Sequence, residues 1–275
     1  MLDKNGKRIL FYVNMTKPNA ESVLSKAESI AERTGFAWTC YESPAELFLD
    51  ADLNEVCCIV TIGGDGTILR LAAHSLSNGQ DVSVPILGLN LGKVGFFNEI
   101  GIEEFESALA ALCSGRYEIE TKSTLHCSID NGMEFSCLND FLVFKNGFSS
   151  IAHMRAAIDG FDIGLIRGDG LIVSTAAGST GYSISAGGPV VAPNLDVILV
   201  TPICPHSLTS RPVVASFDST VSITVLSECF MSGDGIQLVT LKENTTLTVT
   251  KSENKVRFIR FSERNVFKLI REKLT

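Results

Sequence analysis

The sequence contains no run of basic residues and no apolar stretch long enough to span a bilayer. It has 23 Lys and Arg against 31 Asp and Glu, which gives a net charge of −8. Nonspecific binding to nucleic acid needs many phosphate contacts from Lys and Arg, so we expect no nucleic-acid partner and no membrane association. Residues 1–8 are polar, and the apolar run that follows at 9–13 is too short for a secretory leader.

Metal-ligand patterns are also missing. The eight cysteines form no Cys-x-x-Cys pair, and the four histidines show no ligand spacing with them. We therefore expect no zinc site made by the protein. Several cysteines lie inside apolar runs, which is typical of free thiols in a reduced compartment. The sequence accordingly predicts a cytoplasmic protein.

Three widespread catalytic motifs do not occur. The chain has no Gly-x-x-x-x-Gly-Lys-Ser/Thr loop, which disfavours a P-loop NTPase. It has no Gly-x-Ser-x-Gly elbow, which disfavours an α/β-hydrolase. No Gly-x-Gly-x-x-Gly follows the first predicted strand, which disfavours hydride transfer on a Rossmann fold.

The first part of the chain alternates strand and helix patterns. The 275 residues, 45% apolar and 20% charged, suffice for one large domain or two modest ones. The alternation predicts an α/β N-terminal domain, a parallel sheet with flanking helices. We predict strands at 8–14, 36–41, 56–62 and 85–90, and helices at 19–32, 67–76 and 102–113, the first capped by Asn19.

After Tyr117 the helical periodicity fades and short β-rich runs separated by turn residues take over. They predict a second, all-β, sandwich-like domain. Its predicted strands lie at 125–129, 141–144, 154–158, 170–174, 197–200, 220–226, 237–241 and 246–250. Residues 262–273 regain helical periodicity, and we expect this C-terminal helix to return to the first domain. The predicted domains are therefore 1–117 with 260–275, and 118–259.

A glycine-rich turn follows the predicted strand at 56–62. It consists of Gly63, Gly64, Asp65, Gly66 and Thr67. A glycine turn that leads from a buried strand into a helix offers backbone N–H groups to phosphate. A carboxylate beside a bound anion is unfavourable unless it handles a proton, a sugar hydroxyl or a metal. The turn favours phosphoryl transfer to a hydroxyl with Asp65 as the base, and an ordinary structural turn is the alternative.

Two further stretches place polar or glycine residues near strand ends. Residues 88–97 contain three glycines that permit close backbone approach, and Phe96 offers a ring for stacking on a base. A glycine loop with core phenylalanines is the alternative. Asn139 offers amide donors and an acceptor, whereas Asp140 offers acceptors only. This pair suits a purine edge and ribose hydroxyls, although taken alone it indicates an ordinary turn more strongly.

The richest polar stretch runs from 168 to 189. Residues 174–189 are nearly all small or hydroxylated, a composition that makes a poor core and a poor helix. An ordered site for a polar ligand explains this run, and a flexible loop is the alternative. The prolines within 202–207 predict a rigid turn with no assigned chemistry.

Taken in order, these stretches resemble the NAD kinase family. The resemblance rests on Gly-Gly-Asp-Gly-Thr at 63–67, the Gly-x-Asn-x-Gly-x-x-Gly-Phe loop at 88–96, the Asn-Asp pair at 139–140, Asp-Gly-Leu-Ile-Val-Ser-Thr at 169–175 and the block at 178–189. The first motif also occurs in diacylglycerol and sphingosine kinases, but the full series is specific to this family.

The resemblance implies ATP-dependent phosphorylation of the 2′-hydroxyl of the adenosine ribose of NAD, giving NADP, at a site between the two domains. It implies that Asp65 is the base or orienting group for that hydroxyl. It also implies that Asn139 and Asp140 bind the adenine and the ribose, and that Phe96 packs near the adenine. The residues implied in nucleotide or phosphate binding are Gly63, Gly64, Gly66, Thr67, Phe96, Asn139, Asp140, Thr180, Gly181, Tyr182 and Ser185.

The family resemblance also implies partners and a cofactor. Mg²⁺, or another divalent metal, would arrive with ATP rather than bind the chain directly. The expected partners are NAD and ATP. A homodimer or homotetramer is expected, in which a neighbouring subunit often completes the NAD site.

The chain departs from the family pattern Ser-Thr-Pro-Thr-Gly-Ser-Thr-Ala-Tyr, because Ala176 replaces the proline and Gly181 replaces the alanine. Both changes bear on NAD affinity, and neither touches Asp65. Lys93 is expected to help neutralise phosphate. Two competing interpretations are a lipid kinase, which would share Asp65 but not the block at 178–189, and a dinucleotide sensor without turnover.

Overall fold

The structure is a computed structural model that describes residues 8–77, 82–92, 95–147, 150–192, 194–262 and 270–271. The chain divides into two compact units. One comprises Met1–Lys122 with Lys255–Thr275, and the other comprises Ser123–Asn254. None of the helices in the described ranges combines the length and apolar character needed to cross a bilayer.

The first unit alternates strands and helices. Its elements are β1 (Arg8–Val13), α1 (Ala20–Arg33), β2 (Ala37–Tyr41), α2 (Pro44–Asp50), β3 (Cys58–Gly63), α3 (Asp65–Ser77), β4 (Val82–Asn90) and α4 (Phe105–Ser114), with 3₁₀ turns at Leu53–Glu55 and Ile102–Glu104. The strands pair in parallel in the order β2-β1-β3-β4. Beyond β4, the last residues of the strand Thr246–Arg260 add a further parallel neighbour.

The sheet of the first unit is covered on both faces. Strand β3 is buried along its whole length, as its unbroken apolar run predicts. Alternate residues of β1, such as Phe11, pack with Ala27 of α1 and Leu109 of α4 in one apolar cluster. The intervening β1 residues Leu10 and Tyr12 are buried as well. Helices therefore shield a parallel sheet whose strand ends carry the glycine turn.

The second unit is built from antiparallel strands. Its elements are β5 (Glu118–Ile129), β6 (Glu134–Cys137), β7 (Asp140–Lys145), β8 (Ala152–Ile158), β9 (Phe161–Gly168), β10 (Gly170–Thr175), α5 (Tyr182–Ser185), β11 (Val197–Ile203), β12 (Val213–Ser216), β13 (Val221–Val225), β14 (Cys229–Gly233), β15 (Ile236–Leu241) and β16 (Thr246–Arg260). One sheet has the order β12-β11-β10-β7-β14-β15, and the other contains β16-β13-β8-β9. Strands β5 and β16 each run from one unit into the other.

The two sheets of the second unit share one core. Strand β13 alternates buried and half-buried residues, which is typical of a strand with a single core face. Its Ile223 joins Val143 of β7, Val200 of β11 and Met231 of β14 in one apolar cluster. This face-to-face packing is that of a β-sandwich. The predicted fold class, an α/β domain followed by an all-β domain, is confirmed.

Several predicted details were wrong. Helix α3 begins at Asp65 rather than Thr67. Asn19 occupies the N-cap position of α1 in a left-handed conformation, at φ 66°, and among the described contacts its side chain makes no capping hydrogen bond. Helix α2 was missed although Ser43 and Pro44 form a helix-start signal. Apart from 262, 270 and 271, the predicted C-terminal helix lies outside the described residues; 270 and 271 are helical.

Candidate active site

The glycine turn joins the end of β3 to the first turn of α3. Gly64 and Gly66 are exposed, and among the described atoms nothing lies within 4 Å of where a Cβ would be at either position. Gly63 is buried, and a Cβ there would collide with the side chain of Thr67. The first N–H groups of a helix have no carbonyl partner within the helix, and they carry the positive end of its dipole. The turn therefore presents an open anion-binding face.

Asp65 is held by the loop that follows β4. Its Oδ2 accepts a hydrogen bond from the backbone N–H of Phe96 at 2.8 Å. Its Oδ1 accepts one from the backbone N–H of Phe97 at 3.0 Å and one from the side-chain amide of Asn98 at 3.2 Å. The carboxylate is thus fixed in orientation, and the two stretches around Asp65 and Phe96 meet at one place in the first unit.

Gly95 makes this approach possible. It is buried, and a Cβ at this position would overlap the Asp65 carboxylate, lying 2.5 Å from its Cγ. Only glycine lets the backbone come so close to a side chain. Phe96 is half-buried and Phe97 is buried. Lys93, the expected phosphate-neutralising residue, lies outside the described residues.

Arg260, at the end of β16, anchors the same loop. Its Nη1 donates to the carbonyl oxygen of Phe97 at 2.9 Å and to Oε2 of Glu99 at 3.1 Å, and its Nε donates to Oε2 of Glu120 at 2.7 Å. The Phe97 ring also stacks on Phe258 with centroids 5.4 Å apart. Phe97, whose N–H donates to Asp65, is therefore also held through its carbonyl oxygen. Burial alone would raise the pKa of Glu120, but the charges of Arg260 and Lys122 hold that pKa below its ordinary value.

We expect Arg260→Met to lower the free energy of unfolding by about 3–5 kcal/mol, because it removes the buried positive charge that Glu99 and Glu120 share. The matched control is Arg33→Met. Arg33 pairs with Glu106 at 2.8 Å, but both side chains are more than half exposed, so we expect a loss of at most about 1 kcal/mol. Urea unfolding of the three proteins measures the difference. Equal losses for both variants would contradict the anchoring role.

The Asn139–Asp140 pair lies at the start of β7 in the second unit, and both residues are buried. The carbonyl oxygen of Asn139 accepts a hydrogen bond from the Thr175 backbone N–H at 2.9 Å. The Thr175 hydroxyl donates to the Leu138 carbonyl oxygen at 2.9 Å and accepts from the Gly178 N–H at 3.0 Å. The polar stretch after β10 is thus fastened to the pair.

The polar stretch is ordered rather than a flexible loop, and it includes helical turns that its composition did not predict. Residues Ala177–Thr180 form a 3₁₀ turn, and α5 begins after one intervening residue, Gly181. A Cβ at Gly181 would lie 3.5 Å from the side-chain amide nitrogen of Asn139 and 3.6 Å from Oδ2 of Asp140. Thr180 is half-buried, and Tyr182 and Ser185 are exposed. The structure thus brings Gly181 to the Asn139–Asp140 pair.

The carboxylate of Asp140 lies near a second one, that of Asp234. Burial and, to a smaller extent, the nearby charge of Asp234 together raise the pKa of Asp140 to about 7. Burial also raises the pKa of Asp234 to about 6, although hydrogen bonds from the backbone N–H groups of Leu138, Asn139 and Asp140 act in the opposite direction. Close carboxylates of this kind titrate as a coupled pair.

This acidic pair makes stability depend on pH. Because an aspartate ordinarily has a pKa of 3.8, the folded state holds more protons than the unfolded state between that pH and about 7. The contribution is complete below pH 3.8 and is lost as the pH rises through about 7. We expect Asp140→Asn to remove this pH-dependent part of the free energy of unfolding, which is on the order of a few kcal/mol. Urea unfolding from about pH 5 to about pH 8 tests it, and identical slopes would contradict the raised pKa.

Sequence analysis missed three residues that position the site: Gly95, Arg260 and Asp234. Gly95 was grouped with the other glycines of residues 88–97, and Asp234 was counted only among the turn residues that separate the β-rich runs. Arg260 carried no local signal at all, because its partners Phe97 and Glu120 are distant in sequence.

Comparison with protein-family models identifies the family of this chain. Residues 1–117 match the ATP-NAD kinase N-terminal domain family, and residues 138–261 match the ATP-NAD kinase C-terminal domain family. The chain belongs to the NAD kinase family. It is 38% identical over 230 residues to the NAD kinase of Chlorobaculum tepidum, which covers 82% of this chain and 79% of that protein. It is 34% identical to the NAD kinase of Clostridium botulinum strain Loch Maree over 98% of this chain and 96% of that protein.

Solved structures agree with this membership. The crystal structure of an NAD kinase from Archaeoglobus fulgidus in complex with ATP matches with a TM-score of 0.80 and 27% identity, covering 97% of this chain and 98% of that chain. The yeast NADH kinase complexed with NADH matches in fold with a TM-score of 0.85 and 22% identity, covering 98% of this chain and 88% of that chain. The predicted resemblance is confirmed, and the chain is a kinase, a phosphotransferase of the NAD kinase family.

Proposed function

We propose that the chain transfers the γ-phosphoryl group of ATP to the 2′-hydroxyl of the adenosine ribose of NAD, producing NADP and ADP. The observation that carries this proposal is the Asp65 carboxylate. It lies at the start of α3, beside glycines whose outer face is open, and it accepts hydrogen bonds from three donors of the loop after β4. Phosphoryl transfer depends chiefly on positioning and on electrostatic stabilisation, and this arrangement suits both.

Phosphate oxygens bind at the glycine turn. The phosphate-binding residues are Gly63, Gly64, Gly66 and Thr67, and their turn lies at the N-terminal end of α3, where the helix dipole favours negative charge. The Thr67 N–H donates to the Gly64 carbonyl oxygen at 2.9 Å, so the other N–H groups of the turn are the candidate donors to phosphate. Their hydrogen bonds strengthen as charge develops on the transferred group. Mg²⁺ is commonly held in large part by substrate phosphates, and the turn offers N–H groups to those phosphates, so the site fits an ion that arrives on ATP. When bound, it offsets the charge on the phosphate oxygens.

Asp65 acts as the general base. The carboxylate accepts the proton of the 2′-hydroxyl as that oxygen forms its bond to the γ-phosphorus and the bond to ADP breaks. The hydrogen bonds from Phe96 and Phe97 fix the orientation of the carboxylate. After the transfer the proton is bound to Asp65, and it passes to solvent before the next turnover.

The NAD molecule is bound mainly by residues of the second unit. Asn139 and Asp140 bind the adenine and the ribose, Thr180, Gly181, Tyr182 and Ser185 line the dinucleotide, and Phe96 of the first unit packs near the adenine. Supporting this, Gly181 lies beside polar atoms of both Asn139 and Asp140. Three further statements stay predictions. They are the functional domains 1–117 with 260–275 and 118–259, the homodimer or homotetramer, and the cytoplasmic location.

Formation of NADP tests the proposal. Purified protein is incubated with ATP, Mg²⁺ and NAD, and the product is reduced by an NADP-specific dehydrogenase, whose absorbance signal reports NADP. We expect a signal that requires all three reactants. No signal with NAD, together with phosphorylation of diacylglycerol or sphingosine, would contradict the proposal.

A further inference from the structure

The turn between β14 and β15 carries a carboxylate that faces the Asn139–Asp140 pair. Asp234 Oδ1 accepts hydrogen bonds from the backbone N–H of Asn139 at 2.7 Å and of Asp140 at 3.3 Å. Its Oδ2 accepts one from the N–H of Leu138 at 2.8 Å. Three successive peptide N–H groups thus converge on one side chain that is about 95 residues away in sequence.

The contact is reciprocal. The backbone N–H of Asp234 donates to the carbonyl oxygen of Asp140 at 3.0 Å, so each segment both donates to and accepts from the other. Asp234 adopts φ 50°, a left-handed conformation that aspartate and asparagine tolerate better than most residues. The opposite side of the segment is held by Thr175, whose N–H donates to the Asn139 carbonyl oxygen. The peptide before β7 is therefore fixed from both sides.

The side chain of Asn139, which this segment carries, has one buried polar atom without a hydrogen-bond partner in the described part of the chain. Asn139 is 7% exposed, and within the described part of the chain its side-chain oxygen Oδ1 has no hydrogen-bond partner. A buried polar atom without a partner costs free energy, so it indicates a place where a ligand donor is expected. The hydrogen bonds to Asp234 fix the backbone that carries this side chain.

We propose that Asp234 is a positioning residue for the dinucleotide: its carboxylate organises the 138–140 backbone so that Asn139 and Asp140 meet the adenosine of NAD. This inference rests on the proposed function. A carboxylate suits the task because it accepts three N–H groups at once, which a neutral side chain does less well. The Coulomb repulsion between Asp234 and Asp140 is the cost of this arrangement.

The experiment compares two matched aspartates. Asp159 lies in the β8–β9 turn with φ 51°, is followed by a glycine as Asp234 is, and accepts a hydrogen bond from the Thr220 N–H at 2.8 Å. Asp159→Asn and Asp234→Asn therefore make the same chemical change in similar turns. Asp234→Gly removes the carboxylate while tolerating the positive φ. Steady-state kinetics with NAD varied, then with ATP varied, are measured for all four proteins.

We expect Asp234→Asn to raise the KM for NAD about 10-fold and Asp234→Gly about 100-fold, with the KM for ATP changed less than about 2-fold. Asp159→Asn is expected to match the wild type. A wild-type KM for NAD in Asp234→Asn would overturn the inference. So would equal rises in both KM values together with a lowered thermal midpoint, since that pattern marks a general structural defect. If Asp234→Gly does not fold, Asp234→Asn decides. Wild-type protein that makes no NADP would instead overturn the proposed function.

Discussion

Asp65→Asn is expected to lower kcat for NADP formation by about 10²- to 10⁴-fold, the usual loss when a general base is removed. The amide no longer accepts the 2′-hydroxyl proton, although its oxygen still accepts one hydrogen bond from the Phe96–Phe97 backbone. The glycine turn is unchanged by this substitution. We therefore expect the dissociation constant for ATP, measured by calorimetry, to change far less than kcat.

Asp52→Asn is the matched control for this experiment. Asp52 belongs to the same unit, and its Oδ1 accepts a hydrogen bond from the backbone N–H of Asn54 at 3.0 Å, at the start of a 3₁₀ turn. It makes the same kind of contact as Asp65 but is not next to the glycine turn in the sequence. We expect near wild-type kcat. An Asp65→Asn protein that keeps its fold and its kcat would show that Asp65 is not the base.

The second large effect is expected for Gly95→Ala, at a residue that would not itself touch the substrate. The added methyl would occupy the position of the Asp65 carboxylate, so either the side chain or the loop must move. A displacement of about 1 Å at a reacting group commonly costs about 10²-fold in rate, and we expect at least that loss in kcat. Circular dichroism and thermal unfolding establish whether the fold survives.

Gly101→Ala separates this steric effect from a general effect of removing glycine. Gly101 has φ −91°, which alanine adopts readily, and the nearest atom to a Cβ there is Oε2 of Glu104 at 3.9 Å. It lies six positions after Gly95 in the same unit. We expect unchanged kcat in Gly101→Ala. Comparable losses in the two variants would contradict the proposed link between Gly95 and Asp65.

Local patterns predicted the buried strand, the glycine turn and the helix around Asp65. The apolar run before Gly63 and the glycines around Asp65 are contiguous, and a buried strand that turns into a helix has a recognisable signature. Family resemblance then supplied the order of the motifs. The helix start was misplaced by two residues, because glycine in the first turn of α3 looks like a continuation of the loop.

The distant contacts that hold the loop around Asp65 and the Asn139–Asp140 pair could not be predicted in this way. Arg260 forms a hydrogen bond with Phe97, 163 residues away in sequence, and Asp234 forms one with Asn139, 95 residues away. Such contacts depend on tertiary packing, and a single sequence contains no periodicity that pairs the two ends. Turn composition revealed that Asp234 lies in a turn, but not that the turn faces β7.

Two of the elements that the sequence analysis missed, helix α2 and strand β9, have few buried residues. Helix α2 has only Leu47 buried among its seven residues, so its apolar stripe is too short for helical periodicity to register. In strand β9 the alternating apolar residues Phe161, Ile163 and Leu165 are exposed, so they do not mark a side that faces a core. Both elements lack the core-facing pattern on which sequence interpretation depends.

The most direct test of the central claim is the structure of the reaction product. Wild-type protein is incubated with NAD, Mg²⁺ and ATP labelled in the γ-phosphoryl group, and the labelled dinucleotide is located by phosphorus NMR and mass spectrometry. We predict one labelled phosphate on the 2′-oxygen of the adenosine ribose, formed in equal amount to ADP. Label on another oxygen, or release of labelled phosphate to water without a phosphorylated dinucleotide, would contradict the assignment of the 2′-hydroxyl as acceptor.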